Sequence, residues 1–130
     1  MPGNPTITLD VRNFAASPGD GYTNTTSSIN TTYSYKYSGG DSNGGNVTFT
    51  SRGRVTIVVQ LQSDPRYTIN TVGFTGDTNN QLSLVSNPHA QTTATIQNLN
   101  SVVQTANYKV TVSDSTANCT FPCDPQIINK

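Results

Sequence analysis

Residues 55–61 of the 130-residue chain read VTIVVQL, and this stretch decides the fold class. Every second residue from Val55 to Leu61 is aliphatic, so one side of an extended strand is continuously apolar. Val58 makes the opposite side partly apolar as well. Because strands that are apolar on both faces lie inside a sheet, we predict that this strand is central.

The rest of the chain repeats this period-two pattern in short runs separated by Gly, Pro, Asn and Asp. The runs are centred on residues 7–11, 33–37, 47–49, 67–74, 82–84, 94–96 and 108–112. In the fourth run, Tyr67 and Ile69 have one parity but Val72 and Phe74 have the other. A single β-bulge near Asn70-Thr71 would reconcile the two halves, so we predict one there.

Composition favours strands throughout and argues against helices. All seven acidic residues are Asp, and Ala, Leu and Lys are sparse beside abundant Thr, Val, Ile and Tyr. Many short strands joined by turns are typical of a sandwich or a barrel. We predict an all-β, two-sheet antiparallel β-sandwich of immunoglobulin type, with eight or nine short strands. Since Trp is absent and both Cys lie near the end, "immunoglobulin-like" describes architecture only.

Charge is balanced, with seven basic and seven acidic residues scattered singly. Such a chain has no electrostatic reason to bind nucleic acid or an anionic membrane. No export signal and no apolar run of the ~20 residues needed for a membrane helix is present. We therefore expect either a cytoplasmic protein or an exported one whose signal has been removed.

Residues 124–130 read DPQIINK and follow a strand-like YKVTV run at 108–112. This ending resembles the DP-EP family of small bacterial proteins, mostly from marine proteobacteria, whose tails carry an Asp-Pro-Gln-Ile-Ile-Asn-Arg-Pro type motif. The matching residues are Asp124, Pro125, Gln126, Ile127, Ile128 and Asn129. Lys130 stands in place of Arg, and the later Pro and Glu-Pro are absent. The resemblance implies a small β domain of uncharacterised function and transfers no catalytic or binding residue. We expect one domain over residues 1–123, with the tail 124–130 packed on the sheet or extending it.

No cofactor, metal site or catalytic group is predicted. The single His89 lies in an Asn-Pro-His loop without a second His or a Cys nearby, so we interpret it as an exposed loop histidine. The loops 41–43 and 77–80 offer oxygen ligands for Ca²⁺, but each supplies one carboxylate and lacks the Glu of an EF-hand. We interpret these Asp residues as turn residues.

Cys119 and Cys123 enclose Thr-Phe-Pro. A turn at Pro122 could bring their Cα atoms within roughly 7 Å and allow a short disulfide in an oxidising compartment. Two free, partly buried thiols are the alternative.

Tyr33, Tyr35 and Tyr37 point to one face of a strand and are the best candidate for a ligand platform, since stacked rings bind sugars. The alternative is that the three rings face the core while Ser34, Lys36 and Ser38 face solvent.

Two hypotheses on function follow. The first is a non-enzymatic interaction or structural module that engages a protein partner, or a second copy of itself, through an edge strand or the tail. The second is a carbohydrate-binding, lectin-like domain that uses the tyrosines or the Asn and Asp loops. An enzyme is not expected, because no nucleophile with a base can be named.

Overall fold

The computed structural model describes residues 5–40 and 45–123, and the backbone of residues 126–129. This part of the chain forms eleven strands and no helix. In chain order they are β1 (Thr6–Arg12), β2 (Thr23–Thr26), β3 (Thr32–Ser38), β4 (Val47–Phe49), β5 (Val55–Leu61), β6 (Tyr67–Thr75), β7 (Leu82–Leu84), β8 (Thr93–Asn98), β9 (Gln104–Asp114), β10 (Cys119–Cys123) and β11 (Gln126–Asn129).

The first sheet has six strands in the order β2-β3-β1-β5-β8-β7. Strand β5 lies between β1, to which it is parallel, and β8, to which it is antiparallel. Its aliphatic side is buried, and its other side is half-buried. The prediction that β5 is a central strand is therefore confirmed.

The second sheet is built around β9, the longest strand. Strand β6 pairs with one side of β9, and β10 and β11 pair with successive halves of its other side. Strand β4 pairs with β11 in the parallel sense. The register of β6 on β9 shifts between Ile69 and Thr71, which confirms the predicted bulge and lets Ile69 and Val72 both face the core.

The two sheets pack face to face over one apolar core. Aromatic contacts join them: the Tyr33 ring of β3 stacks on Phe121 of β10 with centroids 4.2 Å apart. Tyr37 of β3 meets Tyr108 of β9 edge to face at 6.1 Å. The prediction of an all-β sandwich is confirmed.

Two details differ from the prediction. The described residues form eleven strands rather than eight or nine, because β2, β10 and β11 are too short to show a long apolar alternation in the sequence. Two pairings, β1 with β5 and β4 with β11, are parallel within otherwise antiparallel sheets. Within the part of the chain that is described, no helix has the length and hydrophobicity needed to cross a membrane.

Candidate functional site

The tyrosines of β3 do not form an exposed platform. Tyr33 and Tyr37 are only 3% and 6% exposed, and Tyr35 is half-buried at the edge of the core. The reason is topological, since the face of β3 that carries these rings is the face that packs on the second sheet. The prediction of a ligand platform at Tyr33, Tyr35 and Tyr37 is therefore wrong, and the core-facing alternative describes the rings.

The two cysteines are free and buried. Cys119 and Cys123 lie four residues apart on the extended strand β10, so their Cα atoms are about 13 Å apart. A disulfide needs Cα atoms within roughly 7 Å, so the possible bridge is excluded. Pro122 lies within the strand and does not form the turn that the bridge would require.

The tail is a strand inside the second sheet. Residues Gln126–Asn129 form β11, which pairs with β9 on one side and with β4 on the other. The sequence predicts a tail that packs on the sheet or extends it, and β11 is instead an interior strand of the second sheet. The interior position arises because β4 covers the side of β11 that faces away from β9. Asp124, Pro125 and Lys130 lie outside the described residues, as do loop residues 41–44.

The aspartates that are described are all engaged by protein groups. Asp10 accepts hydrogen bonds from the hydroxyls of Tyr22 and Ser63, and Asp20 pairs with Arg12. Asp64 accepts the backbone N–H of Arg66. Asp77 accepts the backbone N–H groups of Gln81 and Leu82 and the side chain of Gln104. Across the described ranges, no three His, Cys, Asp or Glu side chains lie close enough together to hold a metal ion.

Asp114 accepts the most hydrogen bonds of these carboxylates. It ends β9, its side chain is fully buried, and Arg66 donates two parallel hydrogen bonds to it, both of 2.8 Å. The Tyr33 hydroxyl donates a third bond of 2.6 Å, and the N–H groups of Thr116 and Ala117 donate two more. Because the single phenol proton goes to the carboxylate, the Cys119 thiol donates to the Tyr33 oxygen at 3.1 Å.

This network keeps Asp114 ionised. Burial alone would raise the pKa of the carboxyl group, but the bonds from Arg66, Tyr33, Ala117 and Thr116 outweigh burial and lower that pKa from 3.8 to about 2. Burial and the neighbouring carboxylate raise the pKa of the Tyr33 phenol, so that hydroxyl stays a donor. The negative charge of Asp114 is thus neutralised by Arg66, and both carboxylate oxygens accept hydrogen bonds from protein donors.

A groove with a volume of about 410 Å³ opens beside Asp114 on the outer face of the second sheet. Three hydroxyl side chains form its floor and lie in one row across adjacent strands. Ser113 of β9 is paired with Thr68 of β6 on one side and with Thr120 of β10 on the other. We call the surface lined by these three residues and by the two loops at Ser28 and at His89-Ala90 the polar groove.

Loops from the first sheet form the two walls of the polar groove. At one end, Ser28 is bound to Thr120 by two hydrogen bonds, one from its N–H to the Thr120 carbonyl and one from the Thr120 N–H to its hydroxyl. At the other end, the Ala90 N–H donates to the Ile69 carbonyl, and His89 Nδ1 lies 3.1 Å from the Asn70 carbonyl oxygen. Both loops are therefore fixed to the sheet edges, which makes the face concave.

The lining of the polar groove is neutral and rich in hydroxyl and amide groups. Its remaining members are Ser115 and Asn118, and it reaches the buried Asp114 and Cys119 at one end. Asp114 brings no free charge, since Arg66 neutralises it. The arrangement suits a ligand that offers many uncharged hydrogen-bonding groups.

The polar groove was not predicted from the sequence. His89 was placed correctly on an exposed loop, but its position over the outer face of β6 requires the fold. Thr68, Ser113 and Thr120 each follow the strand alternation as outward polar residues, yet they are far apart in sequence. Only the pairing of β6, β9 and β10 places them in one row.

Comparison with known proteins adds no assignment. The chain matches no protein-family model, and no curated protein is significantly similar to it.

Proposed function

We propose that this chain is a non-enzymatic interaction module that binds a neutral carbohydrate in the polar groove. The observation that carries the proposal is the row of hydroxyls from Thr68, Ser113 and Thr120 along the floor of a concave, uncharged surface. Hydroxyls donate and accept, so a fixed row of them complements the hydroxyls of a sugar ring.

Size and charge support the same ligand class. A volume of about 410 Å³ falls within the range of about 300–1,000 Å³ that is usual for small-molecule sites. A cationic ligand would find no unpaired carboxylate among the described lining residues, because Asp114 is already saturated by Arg66 and its other donors. An anionic ligand would find no Lys or Arg among the same residues. The ring of His89 adds one flat surface at the wall, where a sugar face could stack.

The occupied aspartates support a binding role rather than hydrolysis. Glycoside hydrolysis uses two carboxyl groups that flank the scissile bond, one of them with a raised pKa. Among the described lining residues, Asp114 is the one acidic side chain of the polar groove. The pKa of this carboxyl group is lowered, and its oxygens accept hydrogen bonds from protein groups. A carboxylate held in this way suits a structural role.

A glycan-array screen of the purified chain, with and without Ca²⁺, tests the proposal. Thr68→Val and Thr120→Val each remove a hydroxyl of the floor while conserving side-chain volume. Thr95→Val is the matched control, since Thr95 lies on β8 in the other sheet, remote from the groove. We expect glycan binding by the intact chain that falls at least about tenfold in the groove variants, the equivalent of one lost hydrogen bond of about 1.4 kcal/mol.

Two outcomes would contradict the proposal. One is the absence of binding to any glycan by the folded, intact chain. The other is binding that survives in a Thr68→Val, Thr120→Val double variant whose circular dichroism spectrum is unchanged.

We also infer membership of the DP-EP family and an immunoglobulin type of sandwich. The support is the match over Asp124 to Asn129 for the first, and two sheets packed face to face for the second. Neither inference changes the ligand class proposed for the groove.

A further inference from the structure

Strand β11 occupies a slot that is one strand wide. It pairs with Gln104 to Asn107 of β9 in the antiparallel sense and with Val47 to Phe49 of β4 in the parallel sense. Among the described strands, β11 is the one whose backbone pairs with β4. The residues of β11 therefore complete the second sheet from within, and their departure would leave backbone groups of both β9 and β4 unpaired.

The chain just before β11 is held by other contacts. The Pro122 carbonyl accepts a hydrogen bond from the Thr25 hydroxyl, and the Cys123 carbonyl accepts one of 3.0 Å from the Tyr37 hydroxyl. Thr120 is bound to Ser28 through both its N–H and its carbonyl. These hydrogen bonds hold β10 in place without any contribution from β11.

The backbone register of β11 in the slot follows directly from that of β10. From the pair Cys123↔Val110 to the pair Gln126↔Asn107, both strands advance by three residues, so β11 continues the register that β10 sets. The segment Gln126–Asn129 carries no charged side chain. A copy of this segment from another molecule would form the same ladder bonds without charge repulsion.

We propose that the slot between β9 and β4 accepts β11 from a second copy of this chain, which produces a strand-exchanged dimer. Exchange replaces each contact of β11 by the identical contact from the partner, so the main cost is the loss of the high effective concentration that the covalent connection supplies. The proposal does not depend on the carbohydrate site, which lies on the other half of β9.

Cysteine pairs placed across the slot test the exchange in full-length chains. Thr105 of β9 is exposed and is paired directly with Ile128 of β11. Paired residues on neighbouring strands have Cα atoms about 4.5–5.5 Å apart, which a disulfide can span. Chains that carry only Thr105→Cys are mixed with chains that carry only Ile128→Cys, held just below the unfolding midpoint, cooled and oxidised.

The products are separated without reductant, and the bridge between positions 105 and 128 is identified by peptide mass mapping, which separates it from any bridge through Cys119 or Cys123. The matched control mixes Ile128→Cys with Thr95→Cys, since Thr95 lies on β8 outside the slot. We expect the 105–128 bridge between chains at a yield at least about tenfold above the control, because only strand exchange holds the two thiols together.

A Thr105→Cys, Ile128→Cys double variant decides how a negative result is read. If this variant closes the bridge within one chain while the mixture gives no more than the control yield, the slot does not exchange its strand and the proposal is wrong. If the double variant closes no bridge, the pairing of Ile128 with Thr105 is itself wrong, and the proposal fails with it.

Discussion

Asp114 lies at the end of β9 with its carboxylate buried, and its donors come from both sheets. Tyr33 reaches it from β3 of the first sheet, and Arg66 reaches it from the residue before β6. A buried carboxylate is costly without such partners, since desolvation disfavours the charged form. The hydrogen bond from Tyr33 therefore links the two sheets at this residue, while the ion pair with Arg66 joins neighbouring elements of the second sheet.

The lowered pKa of Asp114 makes stability depend on pH. The pKa is about 2 in the folded chain and 3.8 as the ordinary value, so the carboxylate stabilises the fold above pH 3.8, and this contribution is lost as pH falls towards 2. We expect the free energy of unfolding to fall by about 2 kcal/mol between pH 5 and pH 2 through this residue, as measured by urea titration at the two pH values.

Arg66→Gln should destabilise the fold by about 3 kcal/mol at pH 7, because it leaves a buried charge without its counter-ion. It should also shift the acid transition to higher pH, since the pKa of Asp114 rises when its strongest donor is removed. Arg54→Gln, at an exposed position, is the control. Equal urea midpoints for the two variants would show that the ion pair does not stabilise the fold.

Gly45 offers a third prediction at this scale. Its φ angle is +82°, and an added Cβ would lie 2.6 Å from the Cβ and Cγ atoms of Tyr37. Gly19 has a similar φ angle of +81° and open space around it. Gly19→Ala should therefore cost about 1 kcal/mol for the backbone alone. Gly45→Ala should cost about 2–3 kcal/mol more, through the clash. Thermal melting of the pair measures the difference.

Strand β10 shows how an element can be protected at its edge. Pro122 has no N–H to offer, its carbonyl is bound by Thr25, and Ser28 covers Thr120. These groups leave β10 unavailable to a neighbouring chain, which is how natural sheets avoid aggregation at their edges. Beyond Cys123, the same side of β9 is paired with β11, and β4 pairs with the far side of β11.

The extended form of β10 predicts that the thiols stay reduced and apart. Cys119 and Cys123 are about 13 Å apart along the strand, so oxidant cannot join them in the folded chain. Thiol titration in denaturant should give two thiols per chain, and the melting temperature should be the same with and without reductant. A lower melting temperature in reductant would contradict the strand geometry.

Deletion of residues 124–130 should destabilise the second sheet. The shortened chain loses the ladder bonds of β11 and leaves β4 without a strand partner, at a cost of about 3 kcal/mol or more. Removal of Lys130 alone, which lies beyond β11, is the control for an altered terminus. Unchanged melting and unchanged elution on size exclusion would count against a structural role for the tail.

At the scale of the whole molecule, the net charge is zero and the polar groove is also uncharged. The chain carries seven basic and seven acidic residues, and the floor of the polar groove carries only hydroxyls. Steering by long-range electrostatics is therefore small.

Affinity for a glycan should be nearly independent of salt. Between 50 mM and 500 mM NaCl the Debye length shortens severalfold, yet we expect the dissociation constant to change by less than about twofold, because no net charge is screened. Isothermal titration at the two salt concentrations measures this. A steep loss of affinity with salt would indicate a charged ligand and overturn the neutral carbohydrate as the ligand class.

The fold class and the bulge could be predicted because they depend on local alternation. The parity change between Ile69 and Val72 is visible in the sequence, and a strand with one buried face must correct it. Strand β2, by contrast, consists of Thr and Asn, so it has no apolar side for the pattern to reveal. The tyrosines of β3 were ambiguous because alternation shows that three rings share a face but not which face the second sheet covers.

The sequence by itself determined that this chain is built from strands, that Val55 to Leu61 lies at the centre of a sheet, and that the net charge is zero. These properties follow from the side chains of neighbouring residues, which local geometry governs. The tertiary structure alone decided that Tyr33 and Tyr37 are buried, that β11 lies between β9 and β4, and that Thr68, Ser113 and Thr120 share one groove. Those outcomes depend on which distant strands pair, and pairing is set by the packing of the whole core rather than by any local pattern.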